Sequence, residues 1–432
     1  MRRSVNALLL IGLGFYACSP QVTIRKQLVS TEKKLKDHIG FMLYDPATKK
    51  SLVEYKAEHY FTPASNIKIF TFYTGLEILG DSIPALKYVE QNDSLIFWGL
   101  GDPSFLYSNT TNNSKVIDFL GSRPQKVFFS QSNFNTDRLG PGWAWEDYNY
   151  SFSPERSPFP IYGNCMKLKV DDNEKLVISP TYFSKHLVSG DSAKQAQTKV
   201  EREMDSNQVT FFPGRLSPLT KSWEIPFRYS ADLLVELLSD TLMKTVEETD
   251  FASQYSAKFL YSVPADSLYK VMMYESDNLI AEQLLMMCAA VVSDTLKPEI
   301  AIRYMRKNFL ANLPDDITWV DGSGLSRYNL VTPRTMVALW SKIQVKVPQE
   351  RLFKLLATGG KSGTLKNWYT AEPPYIFAKT GTLANNHNLS GFIITRKGRV
   401  LIFSFMNNNF IASVKEVRGS MQKVLMTIRD NY

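Results

Sequence analysis

Apolar-rich runs at 39–44 and 51–55 flank the turn-forming string Asp45-Pro46-Ala47-Thr48, which predicts a β-hairpin after a polar segment ending near Asp37. Ile67, Phe70, Tyr73, Leu76 and Leu79 then recur at helical spacing until Gly80 stops the run. Ser65 therefore sits at or near a helix N-terminus. From about 84 to 225 the texture changes to short β-like runs (95–98, 126–129, 166–170, 175–178 and 208–212) broken by Asn, Ser, Pro and Gly. Helical periodicity returns at 230–242, with Ser230 as N-cap, and at 265–274, 278–292, 298–310 and 333–343. Strands at 376–379, 389–395 and 400–407 and an amphipathic helix at 413–429 close the chain. The first hairpin and the last strands are expected to share one sheet, so both termini fall in one domain. The predicted architecture is α/β in the α+β sense: a domain in two parts (19–83 and 226–432), a β-rich insertion (84–225) and a leading segment (1–18).

Composition changes this picture little. A chain of 432 residues exceeds what one core usually organises. With 44% apolar and 21% charged residues it reads as globular and ordered. The leading segment is different in kind. Arg2 and Arg3 precede an apolar run at 7–16, too short to span a bilayer but suited to a secretory signal, which ends at Ala17-Cys18. Export is expected, to the periplasm or cell envelope. A small residue before Cys18 resembles a bacterial lipobox, although Phe15 stands where Leu is usual; the alternatives are lipidation at Cys18, which would be the sole membrane attachment, or simple cleavage. The net charge of +8 falls to +6 once Arg2 and Arg3 leave, and no basic run interleaved with aromatics marks a nucleic-acid surface. Cys165 and Cys288 form no C-x-x-C, and Cys288 lies in an apolar run that reads as buried, with a disulfide left open. Four scattered histidines offer no metal spacing, so no metal is predicted.

The chemistry lies in three ordered strings: Ser65-Asn66-Ile67-Lys68, Ser276-Asp277-Asn278 and Lys379-Thr380-Gly381-Thr382. They supply a serine nucleophile, a nearby amine, a Ser/Asn pair and a second amine, the equipment for acyl transfer through a serine ester. Positions i and i+3 share a helical face, so Lys68 is expected beside the Ser65 hydroxyl, while helical N–H groups favour a developing oxyanion. Read singly, Ser65 could be only an N-cap, Ser276-Asp277-Asn278 a helix break, and 379–382 a strand end. Their order and separation favour the chemical reading.

With Pro63-Ala64 before the serine and Leu389-Ser390-Gly391 after the last string, the chain resembles the penicillin-recognising serine acyltransferases. Gly101-Asp102-Pro103-Ser104, Gly142-Trp143-Ala144-Trp145-Glu146-Asp147, Asp321-Gly322-Ser323-Gly324-Leu325-Ser326-Arg327 and Gly363-Thr364-Leu365 are similar to strings of one subfamily, the class C low-molecular-mass penicillin-binding proteins, D-alanyl-D-alanine carboxypeptidase/endopeptidases. The 211 positions between Ser65 and Ser276 fit that subfamily too. The resemblance implies an antiparallel sheet flanked by helices, peptidoglycan muropeptides as substrates and β-lactams as covalent inhibitors, with no cofactor. Its implied roles agree with the chemistry. Ser65 attacks, and Lys68 is the base, made neutral by burial and by the cation of Lys379. Ser276 relays a proton to the leaving amine, helped by Lys68 or Lys379, and Asn278 steadies Lys68 and the substrate amide. Lys379, Thr380 and Thr382 hold the terminal carboxylate beside Gly381, and the N–H groups of Ser65 and Thr382 form the oxyanion hole. Ser323, Asp102 and Trp143 are expected to be structural, Arg327 a salt-bridge anchor, and 143–150 a packed loop. Competing readings are a class A β-lactamase, which lacks its E-x-x-L-N string here, and a non-catalytic envelope scaffold.

Overall fold

The computed structural model describes residues 20–111, 113–171, 175–191, 197–214, 222–254 and 256–432. The leader, with Cys18, lies outside them. A six-stranded antiparallel sheet runs, from edge to edge, through Ala357–Thr358, Ile376–Leu383, Asn386–Ile394, Val400–Asn408, His38–Asp45 and Lys50–Tyr55. The first hairpin thus joins the last strands, with His38 opposite Asn408. On one face, helices Pro20–Leu35 and Val414–Asn431 bury Ile24, Leu28, Val417, Met421 and Leu425 against Phe403 and Phe405. On the other, helices Lys68–Ile78, Ala265–Tyr274, Asn278–Ser293 and Pro333–Lys346 share a core with Phe392, Ile402 and Met406. Each fully buried Leu, Ile or Phe contributes roughly 1.5–3 kcal/mol of transfer free energy, so the two cores clamp the sheet from both sides. The helix Pro20–Leu35 occupies the segment expected only to be polar, because three apolar side chains on one face are enough once a partner helix covers them.

The insertion builds its own sheets. A five-stranded sheet runs through Val246–Glu248, Lys126–Phe129, Ser94–Gly99, Ser82–Gln91 and Lys258–Pro264. Two three-stranded sheets pair Cys165–Val170 with Ser222–Pro226 and Leu176–Ser179, and Val209–Phe212 with Leu187–Ser189 and Lys199–Arg202. Helix Ala231–Leu242, capped by the Ser230 side chain on the Leu233 N–H, packs into the same core. The composition shift set this region at 84–225, whereas its five-stranded sheet starts at Ser82 and its last strand ends at Pro264. Cys165 and Cys288 are unpaired and buried, one in an insertion strand and one in helix Asn278–Ser293, with burial pushing both thiols up.

Candidate active site

Ser65 stands in a 3-10 turn, Ala64–Ile67, that runs into helix Lys68–Ile78. Ala64 adopts a left-handed φ of 49°, a conformation costing roughly 1–2 kcal/mol for a residue with a Cβ. Its surroundings hold it there. Gly324 (φ 83°) lies so close that a Cβ would meet the Ala64 carbonyl oxygen at 2.0 Å, and a Cβ on Gly381 would meet that of Pro63 at 2.4 Å. Asn66 Nδ2 donates to the Lys379 carbonyl at 2.9 Å, and Asn388 and Asn408 both donate to the Thr62 carbonyl.

Lys68 is fully buried, and its Nζ has three neighbours: Asn278 Oδ1 at 2.5 Å, the Ser323 carbonyl at 2.6 Å and Ser65 Oγ at 3.0 Å. Burial pulls its ammonium down to about 8, against the opposing pull of Asp321, Glu282 and Asp277. Desolvation is the leading cause; the mutual repulsion of the amines, expected to act on Lys68, falls on Lys379, which burial and then the Lys68 charge push well down. Lys379 Nζ donates to Ser276 Oγ at 2.7 Å and to the Thr380 carbonyl at 2.8 Å.

Ser276 has a φ of 67° at the break before helix Asn278–Ser293, whose N-cap is Asp277. Asp277 Oδ1 accepts from the Ile280 N–H at 2.9 Å, and its Oδ2 accepts from the Tyr107 hydroxyl at 2.6 Å. Asn278 divides its amide, with Oδ1 on Lys68 and Nδ2 donating to the Phe152 carbonyl at 2.7 Å. On strand Ile376–Leu383, the Thr380 hydroxyl donates to that of Thr364 at 2.8 Å, and Thr382 Oγ1 lies 2.8 Å from His387 Nδ1. Burial drives His387 down to about 3, so its imidazole is neutral. The chain thus brings Ser65, Lys68, Ser276, Asn278 and Lys379 together, with Ser65, Ser276, Asn278 and Thr382 on the wall of a cleft of about 880 Å³.

Several neighbours were not legible as site residues. Glu282, one turn beyond Asn278, is a lone acid in the buried run of its helix, and that incongruity was the available signal. It accepts from Arg156 Nη2 at 2.6 Å and Nε at 3.0 Å and from the Ser323 N–H at 2.7 Å. The Ser323 carbonyl accepts from Lys68 and the Trp143 indole donates to Asp321, while Asp102 ties Ser104 and Ser262 within the insertion. Two expectations need correction. Arg327 makes no ion pair among the described residues; its Nη2 donates to the Ala384 carbonyl at 3.2 Å and it lines the cleft. The stretch 143–150 is only partly packed, since Trp145 is 70% exposed and Tyr150 56%.

The model of the D-Ala-D-Ala carboxypeptidase 3 (S13) family matches residues 24–428. The chain belongs to this family. It is 24% identical over 440 residues to the D-alanyl-D-alanine carboxypeptidase DacB of Haemophilus influenzae, covering 91% of this chain and 90% of that protein. The crystal structure of penicillin binding protein 4 (dacB) from Haemophilus influenzae superposes with a TM-score of 0.74 at 21% identity, over 93% of this chain and 98% of that one, and has also been solved with a β-lactam. A predatory peptidoglycan endopeptidase from Bdellovibrio bacteriovorus shares the fold at a TM-score of 0.51 and 15% identity, over 91% and 92% of the two chains. This S13 protein is therefore a hydrolase of the D-Ala-D-Ala carboxypeptidase class, in a family of cell-wall enzymes that are typically exported. No helix among the described residues is long and apolar enough to cross a membrane.

Proposed function

We propose that the protein cleaves peptidoglycan stem peptides ending in D-Ala-D-Ala through an ester on Ser65, as a carboxypeptidase and as an endopeptidase. The observation that carries this is the surroundings of the Lys68 amine. A neutral amine has two N–H bonds and one lone pair; Asn278 Oδ1 and the Ser323 carbonyl accept the two hydrogens, which leaves the lone pair for the Ser65 hydroxyl. Ser65 Oγ attacks the carbonyl of the penultimate D-Ala while its proton passes to Lys68. The N–H groups of Ser65 and Thr382 stabilise the oxyanion, a pairing in which each donor is worth on the order of a hundredfold in rate. As the tetrahedral intermediate collapses, the C–N bond breaks and Ser276 hands its proton to the departing nitrogen, refilled from Lys379 at 2.7 Å. Water then attacks the ester, its proton passing by way of Ser276 to Lys379, while Lys68 returns the proton it took to the departing Ser65 Oγ, so that the serine and both amines regain their starting states. Lys379, Thr380 and Thr382, with Gly381 allowing the strand to approach the Ser65 turn, hold the terminal carboxylate.

The leaving amine is free D-Ala in one reaction and a cross-linked residue in the other, with the same acyl-enzyme in both. β-Lactams would acylate Ser65 by the same attack. We place this chemistry in the cell envelope, with Cys18 as the site of a lipid anchor. Mass spectrometry of products from purified monomeric and cross-linked muropeptides tests the reading. Loss of one alanine from monomers and conversion of dimers to monomers are expected; no change in either, by folded enzyme, would overturn it.

A further inference from the structure

The three-residue segment Gly322-Ser323-Gly324 is held peptide by peptide. The peptide between Gly322 and Ser323 has its carbonyl on Thr71 Oγ1 at 2.7 Å and its N–H on Glu282 Oε1 at 2.7 Å. The next peptide gives its N–H to Asp321 Oδ1 at 3.0 Å and its carbonyl to Lys68. Both carboxylates are held in turn from the insertion: Arg156 donates twice to Glu282 Oε2, and Trp143 Nε1 donates to Asp321 Oδ2 at 3.0 Å. Arg156 and Glu282 are each only 1% exposed, and the guanidinium lies over the Trp143 ring at 5.4 Å. A buried ion pair is a poor source of net stability, because desolvating both charges offsets their attraction. Its geometry is better accounted for by what Glu282 does with its other oxygen.

We propose that Arg156 is a positioning residue for acylation: through Glu282 it fixes the peptide plane at Ser323, and so the direction in which the Lys68 amine faces Ser65. Trp143 does the same for the following peptide through Asp321. The inference rests on Lys68 being the base. Misplacing a reacting group by about 1 Å can cost on the order of a hundredfold in rate without weakening binding.

Acylation by a chromogenic penicillin, followed by stopped flow, separates the dissociation constant of the first complex from the acylation rate constant. In Arg156→Gln the rate constant is expected to fall roughly 10- to 100-fold with the dissociation constant within about twofold, and Arg156→Lys to recover much of the loss. An unchanged rate constant, a loss confined to binding, or an Arg156→Lys variant no better than Arg156→Gln would overturn the proposal. Should Arg156→Gln not fold, Trp143→Phe removes the indole N–H and keeps a ring beside the guanidinium; a rate constant reduced at unchanged binding supports the proposal, and an unchanged one overturns it. Lys68→Ala serves as the control. Acylation retained there removes the base reading and this inference with it, whereas acylation lost there but normal in Arg156→Gln removes only the inference.

Discussion

The region around the six-stranded sheet and the inserted sheets stand in different relations to the cleft. Ser65, Lys68, Ser276, Asn278 and Lys379 all come from the first, on a turn, two helix starts and a strand that two hydrophobic cores fix. Residues 82–264 bring none of these five. They touch the site through Tyr107 on Asp277, the Phe152 carbonyl on Asn278, Arg156 on Glu282 and Trp143 on Asp321. The proposed reacting groups thus all come from one region, while the hydrogen bonds around them come from both. On the proposed mechanism the insertion takes part in catalysis by holding side chains in place, although it supplies no reacting group.

This comparison can be broken by substitution. Ser65→Ala should abolish covalent labelling by fluorescent penicillin and lower turnover by at least about 10⁴-fold. Persistent labelling of that variant would move the nucleophile elsewhere. Lys68→Ala should retain the fold and lose on the order of 10²- to 10⁴-fold in acylation rate. The same lysine sets a pH limb. With its amine at about 8, the neutral form that accepts the Ser65 proton disappears as pH falls, so the acylation rate should drop towards tenfold per unit below about pH 8 and level off above it. A profile flat from pH 6.5 to 9.5 would contradict that.

Gly324→Ala tests the packing of one loop on the Ser65 turn. A Cβ at φ 83° pressed on the Ala64 carbonyl should cost at least about 1–3 kcal/mol by thermal denaturation and move Ser65 enough to slow acylation. The gentlest test lies across the boundary. Tyr107→Phe removes one hydrogen bond to Asp277, worth about 1 kcal/mol, and should change turnover by less than about tenfold. A larger loss there than in Lys68→Ala would reverse the division between the two regions.

The sequence exposed the sheet-side region well because its information is local. Helical spacing after Ser65 and the strand runs at 376–379 and 400–407 are each read within a dozen residues. The three strings were legible for the same reason, and their convergence followed from their order. What escaped was carried by lone side chains meeting across long separations. Arg156 and Glu282 are 126 positions apart, and neither has a neighbour in sequence that announces the pair. His387 carries no signal of its own until the strand pairing sets it opposite Thr382. The helix Pro20–Leu35 was missed because a polar segment with a narrow apolar stripe becomes a helix only when something covers that stripe.

The pairing of the first hairpin with the last strands has a consequence for synthesis. Asp37 and Asn407, hydrogen-bonded in the finished sheet, are 370 positions apart. Throughout elongation, the edge of His38–Asp45 that pairs with Val400–Asn408 has no neighbour, and such non-local closure is intrinsically slow. The last strand of the inserted sheets ends at Pro264, well before that partner strand is made. A chain released before Val400–Asn408 would therefore carry every string that marks the enzyme and still leave a bare strand edge, open to aggregation in place of catalysis.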